Sequence, residues 1–520
     1  MAYPTVEKDA KTAYEGPTWR EFLRKWLTTT NHKEIGILYI VFSFSFFVLG
    51  GILAMFIRVE LALPGRTIIG EGLYAQFFST HGTTMIFLFI IPVFVGFGNY
   101  FVPLLIGAKD MAYPRINALG FWMLPSAAAM IWIGQSSVGW TGYAPLSSDP
   151  TFTPEPSIFE LGRGVDLWLA GLIIIGTSSI IGALNFLVTI AKHRRPGMTF
   201  RKMPLFVWSI LTVSIMIVMA TPVLASTLTL AFLDRNIGTC FFNTVGACEG
   251  NPGQPILWQH LFWFYSHPAV YIMVLPAMGI VNEVLPKMVR KPIFGYFAMA
   301  IAMFGIGFVG FVVWAHHMFT TGLSLTVRAP FMLATMAVAV PTGVKIFNWL
   351  ATIWRGSVSF KTPLLYAVGF IALFTIGGIT GVYQASIPVD YQLQETYWVV
   401  AHLHYVLFGG SVMGLFAACY FWFPAMTGRM YNERLGKIHF LVTFIGMNMT
   451  FFTMHFIGLF GMLRRNFDYI EELKYWPQLA EMNLISSIGA FILGAGQLIF
   501  FYNMIVSKYK GTPAPADPWA

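Results

Sequence analysis

Long apolar stretches, broken by short polar and charged segments, run through this chain from residue 35 to residue 506. Twelve of them are long enough to cross a bilayer: 35–57, 78–105, 118–138, 167–191, 205–233, 257–286, 293–318, 330–353, 364–387, 398–425, 437–462 and 481–506. Each has about 20 residues or more, which at about 1.5 Å per residue crosses ~30 Å of hydrocarbon. Gly and Pro recur inside them, as helices in lipid tolerate. The pattern predicts an all-α, polytopic membrane protein with twelve transmembrane helices over 35–506, an N-terminal segment at 1–34 and a tail at 507–520. Residues 1–33 are polar with scattered charge and hold no short apolar core followed by a small-residue cleavage site. The first apolar stretch is therefore expected to be an anchor, not a signal peptide.

Composition agrees. Of 520 residues, 56% are hydrophobic and 11% charged, which excludes a soluble globule. Most of the 32 Lys and Arg fall in segments on the N-terminal side of the span set, above all KHRRPGMTFRK at Lys192–Lys202, whereas the acids favour the opposite side. The positive-inside rule then puts both termini in the cytoplasm. The net charge of +9 reads as topology, with no nucleic-acid partner implied. Of three cysteines, Cys240 and Cys248 share one outside loop, where a disulfide is feasible and where two free thiols remain the alternative. No Cys–His cluster has zinc or copper-pair spacing.

Histidines inside apolar stretches change the picture, because polar side chains are costly in lipid and need partners. In WVVAHLHYVLFGG, His402 and His404 are two residues apart. That is about 200° on a helix, so they face nearly opposite sides. Two cofactors can flank such a helix; two core histidines bonded to neighbouring helices are the alternative. In HLFWFYSHPAVYIMV, His267 and Tyr271 are four apart and share a face, and Pro268 is expected to disturb the helix locally and re-aim His267. In WAHHM, His316 and His317 are adjacent. They converge on one ion only from an adjusted turn or through different ring nitrogens. Imidazole suits copper, zinc and iron, and three imidazoles from two spans make a copper site with an open position. His81, in FFSTHGTTMIF, fits a heme's axial ligand, and Gly82 leaves room for something large. His32, His193, His260, His439 and His455 read as structural or interfacial.

Taken together, NHKEIG, STHG, GFGNYFVPLLIGAKDMAYPRIN, QHLFWFYSHPAVY, WAHHMF, AVPTGVKIFNW, VVAHLHYV and LRRNFDY closely resemble subunit I of the heme–copper oxygen reductases, over about residues 30–505. The resemblance implies a terminal oxidase in a bacterial or archaeal cytoplasmic membrane, reducing dioxygen to water and pumping protons with electrons from cytochrome c. His81 and His404 would be the axial ligands of a low-spin heme, and His402 the proximal ligand of a high-spin heme, both hemes of A type. His267, His316 and His317 would hold a copper facing the open side of the second heme, with Tyr271 joined covalently to His267. Arg58 would bond the low-spin heme's formyl group. Arg464 and Arg465 would bind heme propionates, since guanidinium takes a carboxylate with two charge-assisted bonds. The electron-entry copper or heme would lie on a partner subunit II.

Two proton routes follow. Lys345 is the lysine in the interior of a span, a position that costs ~2.5–3.5 kcal/mol on insertion scales. With Thr342 it matches the family's lysine pathway toward Tyr271. Asp110, lined above by Asn99, Asn117 and Asn185, matches the mouth of the second pathway. The chain departs from the commonest pattern at Ala269, where glutamate is usual, and no Asp or Glu lies in the interior of an expected span. Tyr265 and Ser266 match the tyrosine–serine variant and are expected to replace that carboxylate. At Gln394–Thr396 the usual His–Asp–Thr is replaced by QET, leaving Glu395 as the candidate magnesium ligand. Three rivals remain. A quinol-fed oxidase differs in its donor. A nitric oxide reductase should lack Tyr271 and Lys345 and carry extra glutamates. A transporter with a histidine relay would bind no heme.

Overall fold

The computed structural model describes residues 18–519 except 66–67, 153–163 and 246–247. The described chain is helical throughout; its only β pairing among these residues is two isolated bridges, Thr396 with Leu463 and Arg429 with Pro513. A short helix, α1 (Trp19–Thr28), precedes the bundle. Then come α2 (His32–Glu60), α3 (Glu71–Ile106), α4 (Pro114–Gly134), α5 (Gly164–Lys192), α6 (Leu205–Ile237), α7 (Pro255–Met288), α8 (Tyr296–Val312), α9 (Leu325–Ile353), α10 (Thr362–Ala385), α11 (Tyr397–Thr427), α12 (Glu433–Leu459) and α13 (Leu479–Lys510). A helix of seven residues, Ile387–Leu393, joins α10 to α11. Eleven of these are long and apolar enough to cross a membrane, and α8 is a shorter apolar helix. The twelve expected spans each find a helix. The helices run past the apolar edges because their caps are polar: Asn31 accepts from Lys33 N and Glu34 N at the start of α2, and Asn432 from Leu435 N at the start of α12.

The expected span 293–318 is the one that differs most. Regular α-helix stops at Val309, and residues 310–312 and 314–318 wind as 3₁₀ turns. The cause is packing. Tyr271 of α7 lies against Gly310, where an added Cβ would stand 2.7 Å from the tyrosine's Cδ2, and the histidines beyond must turn toward α7. α7 runs as one helix through Pro268 and Pro276, although Pro268, lacking an N–H, removes one i→i−4 bond there. A wide π turn occurs in α3 at Thr84–Ile90 and in α11 at Leu407–Val412, shortly after His81 and His404. Such turns gather at functional sites.

The bundle has an inside and an outside. Most of the apolar stretch of α3 and of α7 is buried, 83% in each, and 72% of that of α11, against 6% for α9. The three innermost helices are those that carry His81, His267 and Tyr271, and His402 and His404. Beyond α13 the chain folds back. Met430 N donates to Thr512 O at 2.8 Å and Ala514 N to Gly428 O at 2.9 Å. Buried Trp519 stacks on Phe421 at 5.6 Å, with the Lys361 ammonium over its ring at 5.8 Å. Cys240 and Cys248 are joined as a disulfide in the α6–α7 loop.

Candidate functional site

The WAHHM turn brings three imidazoles together. His267 Nδ1 lies 3.2 Å from His317 Nε2, and His316 Nε2 lies 3.1 Å from that same His317 nitrogen. Three ring nitrogens so close cannot all be satisfied by one another, because only one N–H fits between any pair. They suit a cation: nitrogens about 2.0–2.1 Å from one ion stand about 3.3–3.5 Å apart. They form the one such group of metal-ligating side chains among the described residues. His316 Nδ1 is paired with Thr335 Oγ1 of α9 at 3.0 Å, and Thr335 Oγ1 itself donates to Phe331 O. The hydroxyl therefore accepts the Nδ1–H, leaving Nε2 as a lone pair aimed at its neighbours. His317 is stacked flat on Trp263 at 3.7 Å, and Trp263 Nε1 donates to Tyr143 OH.

The other three histidines share one arrangement. His81 Nδ1 donates to Gly50 O at 2.8 Å, His402 Nδ1 to Gly377 O at 3.0 Å and His404 Nδ1 to Val400 O at 2.8 Å. Each backbone carbonyl fixes the ring and the tautomer, and each Nε2 keeps its lone pair for a metal. All three sit on the innermost helices, yet their rings are only half-buried, so open space stands beside each. His402 is tied to Gly377 of α10, whereas the His404 ring stacks on Phe451 of α12 at 4.1 Å, so the two rings meet different neighbouring helices, as their spacing predicts. Gly381 makes room for His402, since a Cβ there would stand 2.8 Å from its Cε1. The large group expected beside Gly82 is the Trp140 indole, 3.2 Å from where a Cβ would be.

Arg58 is buried and bonds Ser487 Oγ and Asn483 O through Nε and Nη2. Its Nη1 has no partner among the described residues, which fits an oxygen-bearing substituent of a bound group. Arg464 clasps Glu395 with Nε–Oε2 2.7 Å and Nη2–Oε1 2.6 Å. Burial raises the Glu395 carboxyl, but the Arg464 bonds and charge outweigh it and hold it below the ordinary carboxylate range. Arg465 is held by Thr141 Oγ1 and lies over the Phe78 ring. Beside them, burial pushes the Asp390 carboxyl up to about 7.

Tyr271 and His267 are 4.8 Å apart, centroid to centroid, and His267 Nε2 is unpartnered. Lys345 is fully buried on α9, with Nζ 5.0 Å over the Trp349 ring and no polar partner. Thr342 lies one turn before it. Asn282 and Asn348, which the sequence reading missed, each have an unpartnered buried amide nitrogen, and Trp349 Nε1 donates to Asn282 Oδ1. On the other side, Asn117 donates to Asn99 Oδ1 at 2.7 Å. Asn185 instead ties α5 to the Tyr113 backbone, and Asp110 accepts from Met111 N. Above lies a cavity of ≈ 40 Å³ lined by Tyr39, Phe87, Ser178, Ser179, Ser214 and Ile272, among others. That is space for about three waters. Phe87 faces Tyr265 ring to ring at 6.5 Å, and the buried Ser266 hydroxyl is unpartnered. The serines of this cavity were also missed; single hydroxyls in apolar helices carry no spacing signal.

Residues 34–492 match the family described as cytochrome c and quinol oxidase polypeptide I. The chain belongs to that family. It is 47% identical over 504 residues to cytochrome c oxidase subunit 1 of Synechocystis sp., covering 95% of this chain and 88% of that one. It is 46% identical over 510 residues to the Bacillus subtilis protein of the same name, covering 97% and 79%. A solved heme–copper terminal oxidase dimer matches in fold with a TM-score of 0.76 at 21% identity, covering 94% of this chain and 86% of that one. As a family member, the chain is the catalytic subunit of a heme–copper terminal oxidase in a membrane, and hemes and copper are its cofactors.

Gly381→Ala tests the geometry at His402. Overpacking costs ~1–3 kcal/mol, and the strain falls on one imidazole. The purified variant should lose the high-spin component of its heme spectrum while the low-spin bands persist; equal loss of both would show that Gly381 serves the fold alone.

Proposed function

We propose that this chain reduces dioxygen to water with electrons from cytochrome c and pumps protons across a bacterial or archaeal cytoplasmic membrane, with its N-terminus inside. The observation that carries the reading is the convergence of three imidazole nitrogens, from His267, His316 and His317, on one point. His267, His316 and His317 would hold copper, His402 the high-spin heme, and His81 with His404 the low-spin heme, both of A type. When bound, these groups supply electron storage and oxygen binding, chemistry that belongs to the cofactors.

The chain's own residues hold them, exclude water and move protons. Arg58 offers Nη1 to the low-spin heme's formyl oxygen. Arg465, with the donors Arg464 does not spend on Glu395, would bind propionates. A magnesium at Glu395 would have to share that carboxylate with Arg464. Tyr271 holds a proton beside the copper ligands, and the edge-on contact of its ring with that of His267, 4.8 Å between centroids, supports the covalent link. Lys345, with Thr342 and the unpartnered amides of Asn282 and Asn348, forms a polar file through an otherwise apolar region. Asp110 would collect protons for Asn99 and Asn117, and the largely apolar cavity, with Ser178, Ser179 and Ser214 in its wall, would carry them toward Tyr265 and Ser266. A subunit II with the electron-entry copper or heme completes the complex. The family's description spans quinol as well as cytochrome c oxidases, while the relatives above are named for cytochrome c.

A pyridine hemochrome spectrum with metal analysis tests the assignment: two hemes of A type and copper are expected, and a colourless, metal-free complex would sink it. Lys345→Met should cut oxygen consumption by ~10²-fold or more, the scale of lost proton transfer; unchanged turnover would remove the lysine from the route. Tyr265→Phe should leave oxygen consumption measurable but lower the protons ejected per electron. Full ejection by that variant would mean that its hydroxyl does not replace the carboxylate absent at Ala269.

A further inference from the structure

Helix α1 stands outside everything described so far. None of its ten residues is buried, and only Trp26 is even half-buried. Yet its sequence, WREFLRKWLT, is sharply divided. At about 100° per residue, Trp19, Phe22, Leu23, Trp26 and Leu27 fall on one arc of about 140°, and Arg20, Glu21, Arg24, Lys25 and Thr28 occupy the opposite arc. Trp19 is 71% exposed and Leu27 53%. Trp19 stacks on Phe22 at 5.7 Å, and Phe22 meets Trp26 at 6.2 Å, so the apolar face is a continuous aromatic surface that, among the described residues, is covered only in part at Trp26.

The helix is built to persist without a protein partner. Thr18 and Glu21 form a reciprocal capping box at its start. Its end is tied to the bundle: Lys25 Nζ reaches Glu34, in the first turn of α2 and six residues after α1 stops, at 2.9 Å. The anchor point is thus the mouth of a transmembrane helix whose outer face, with Val41, Val48, Leu49, Ile52 and Phe56 exposed, is in lipid. A short helix leaving that point with one aromatic face and one arginine-bearing edge has the composition of interfacial helices. Trp is the residue that settles at the headgroup level, and Arg20 and Arg24 supply charge of the sign that anionic headgroups attract.

We propose that α1 is an in-plane membrane helix that binds the anionic lipid surface around α2. Its Trp–Phe–Leu face lies in the boundary between headgroups and acyl chains, and Arg20 and Arg24 bind lipid phosphates. This is independent of the oxidase chemistry.

The test uses the purified complex in lipid nanodiscs, with Cys419→Ser and a nitroxide placed in turn at Phe22→Cys, Leu27→Cys, Glu21→Cys and Thr28→Cys. The optical spectrum reports that each variant is folded. Collision with dissolved oxygen and with a water-soluble nickel chelate reads depth. Positions 22 and 27 should favour oxygen and sit ~5–10 Å below the phosphates, while positions 21 and 28 should favour nickel. Nickel access at all four would place the helix in water and overturn the proposal. Exclusion of both reagents at 22 and 27 would mean that another protein covers the face, which also overturns it. In a second arm, phosphatidylglycerol added to phosphatidylcholine discs should immobilise position 22 in a salt-sensitive way. Arg20→Gln with Arg24→Gln should abolish that response; its persistence would take the arginines out of the assignment.

Discussion

Inside this bundle an imidazole has two nitrogens and almost no water to satisfy them. That constraint organises the structure. In His81, His402 and His404 one nitrogen is spent on a backbone carbonyl, and in His316 on a threonine hydroxyl. What remains is a set of lone pairs that no nearby N–H answers. A buried unpaired polar atom costs ~1–3 kcal/mol, and several in one place are tolerable only where something electron-deficient fills the gap. The same logic explains Arg58, whose two bonded nitrogens leave a third without a partner among the described residues.

Support for the centre is distributed across the layers of the bundle. His81, His267, His402 and His404 sit on the most enclosed helices, so their positions are set by packing on all sides, whereas His316 and His317 join them from the 3₁₀ turn beyond α8. The groups that support them come from several helices: Thr335 of α9, Trp263 of α7 stacked on His317, and Glu395 holding Arg464 at the α11 entrance. The polar residues proposed for proton transfer follow the same division. Asn99, Asn117 and Tyr265 lie on or against inner helices, whereas Lys345 belongs to the helix least enclosed by protein, its ammonium buried over the Trp349 ring.

Much of this was legible in the chain itself. The twelve apolar stretches all became helices because length and hydropathy leave lipid-spanning segments little choice. The divergence of His402 and His404 followed from helical rotation alone. So did the shared face of His267 and Tyr271. The convergence of His316 and His317 required a local adjustment, and the 3₁₀ winding of 314–318 is that adjustment. Less legible were features set by contacts distant in sequence. Pro268 is expected to disturb α7 locally, yet α7 continues as one helix through it. The π turns after His81 and His404 have no composition cue. Glu395 looked like a free ligand until Arg464, 69 residues on, was seen to hold it. The helical ends outran the apolar edges because caps are polar and hydropathy does not see them.

One consequence follows from where Thr335 resides. The helix that fixes the tautomer of His316 has 6% of its apolar stretch enclosed by the rest of the chain. Its remaining surface must be solvated by whatever surrounds the subunit, acyl chains or a neighbouring polypeptide. The outer wall of the subunit and the three-imidazole cluster are thus joined through a single hydroxyl, Thr335 Oγ1.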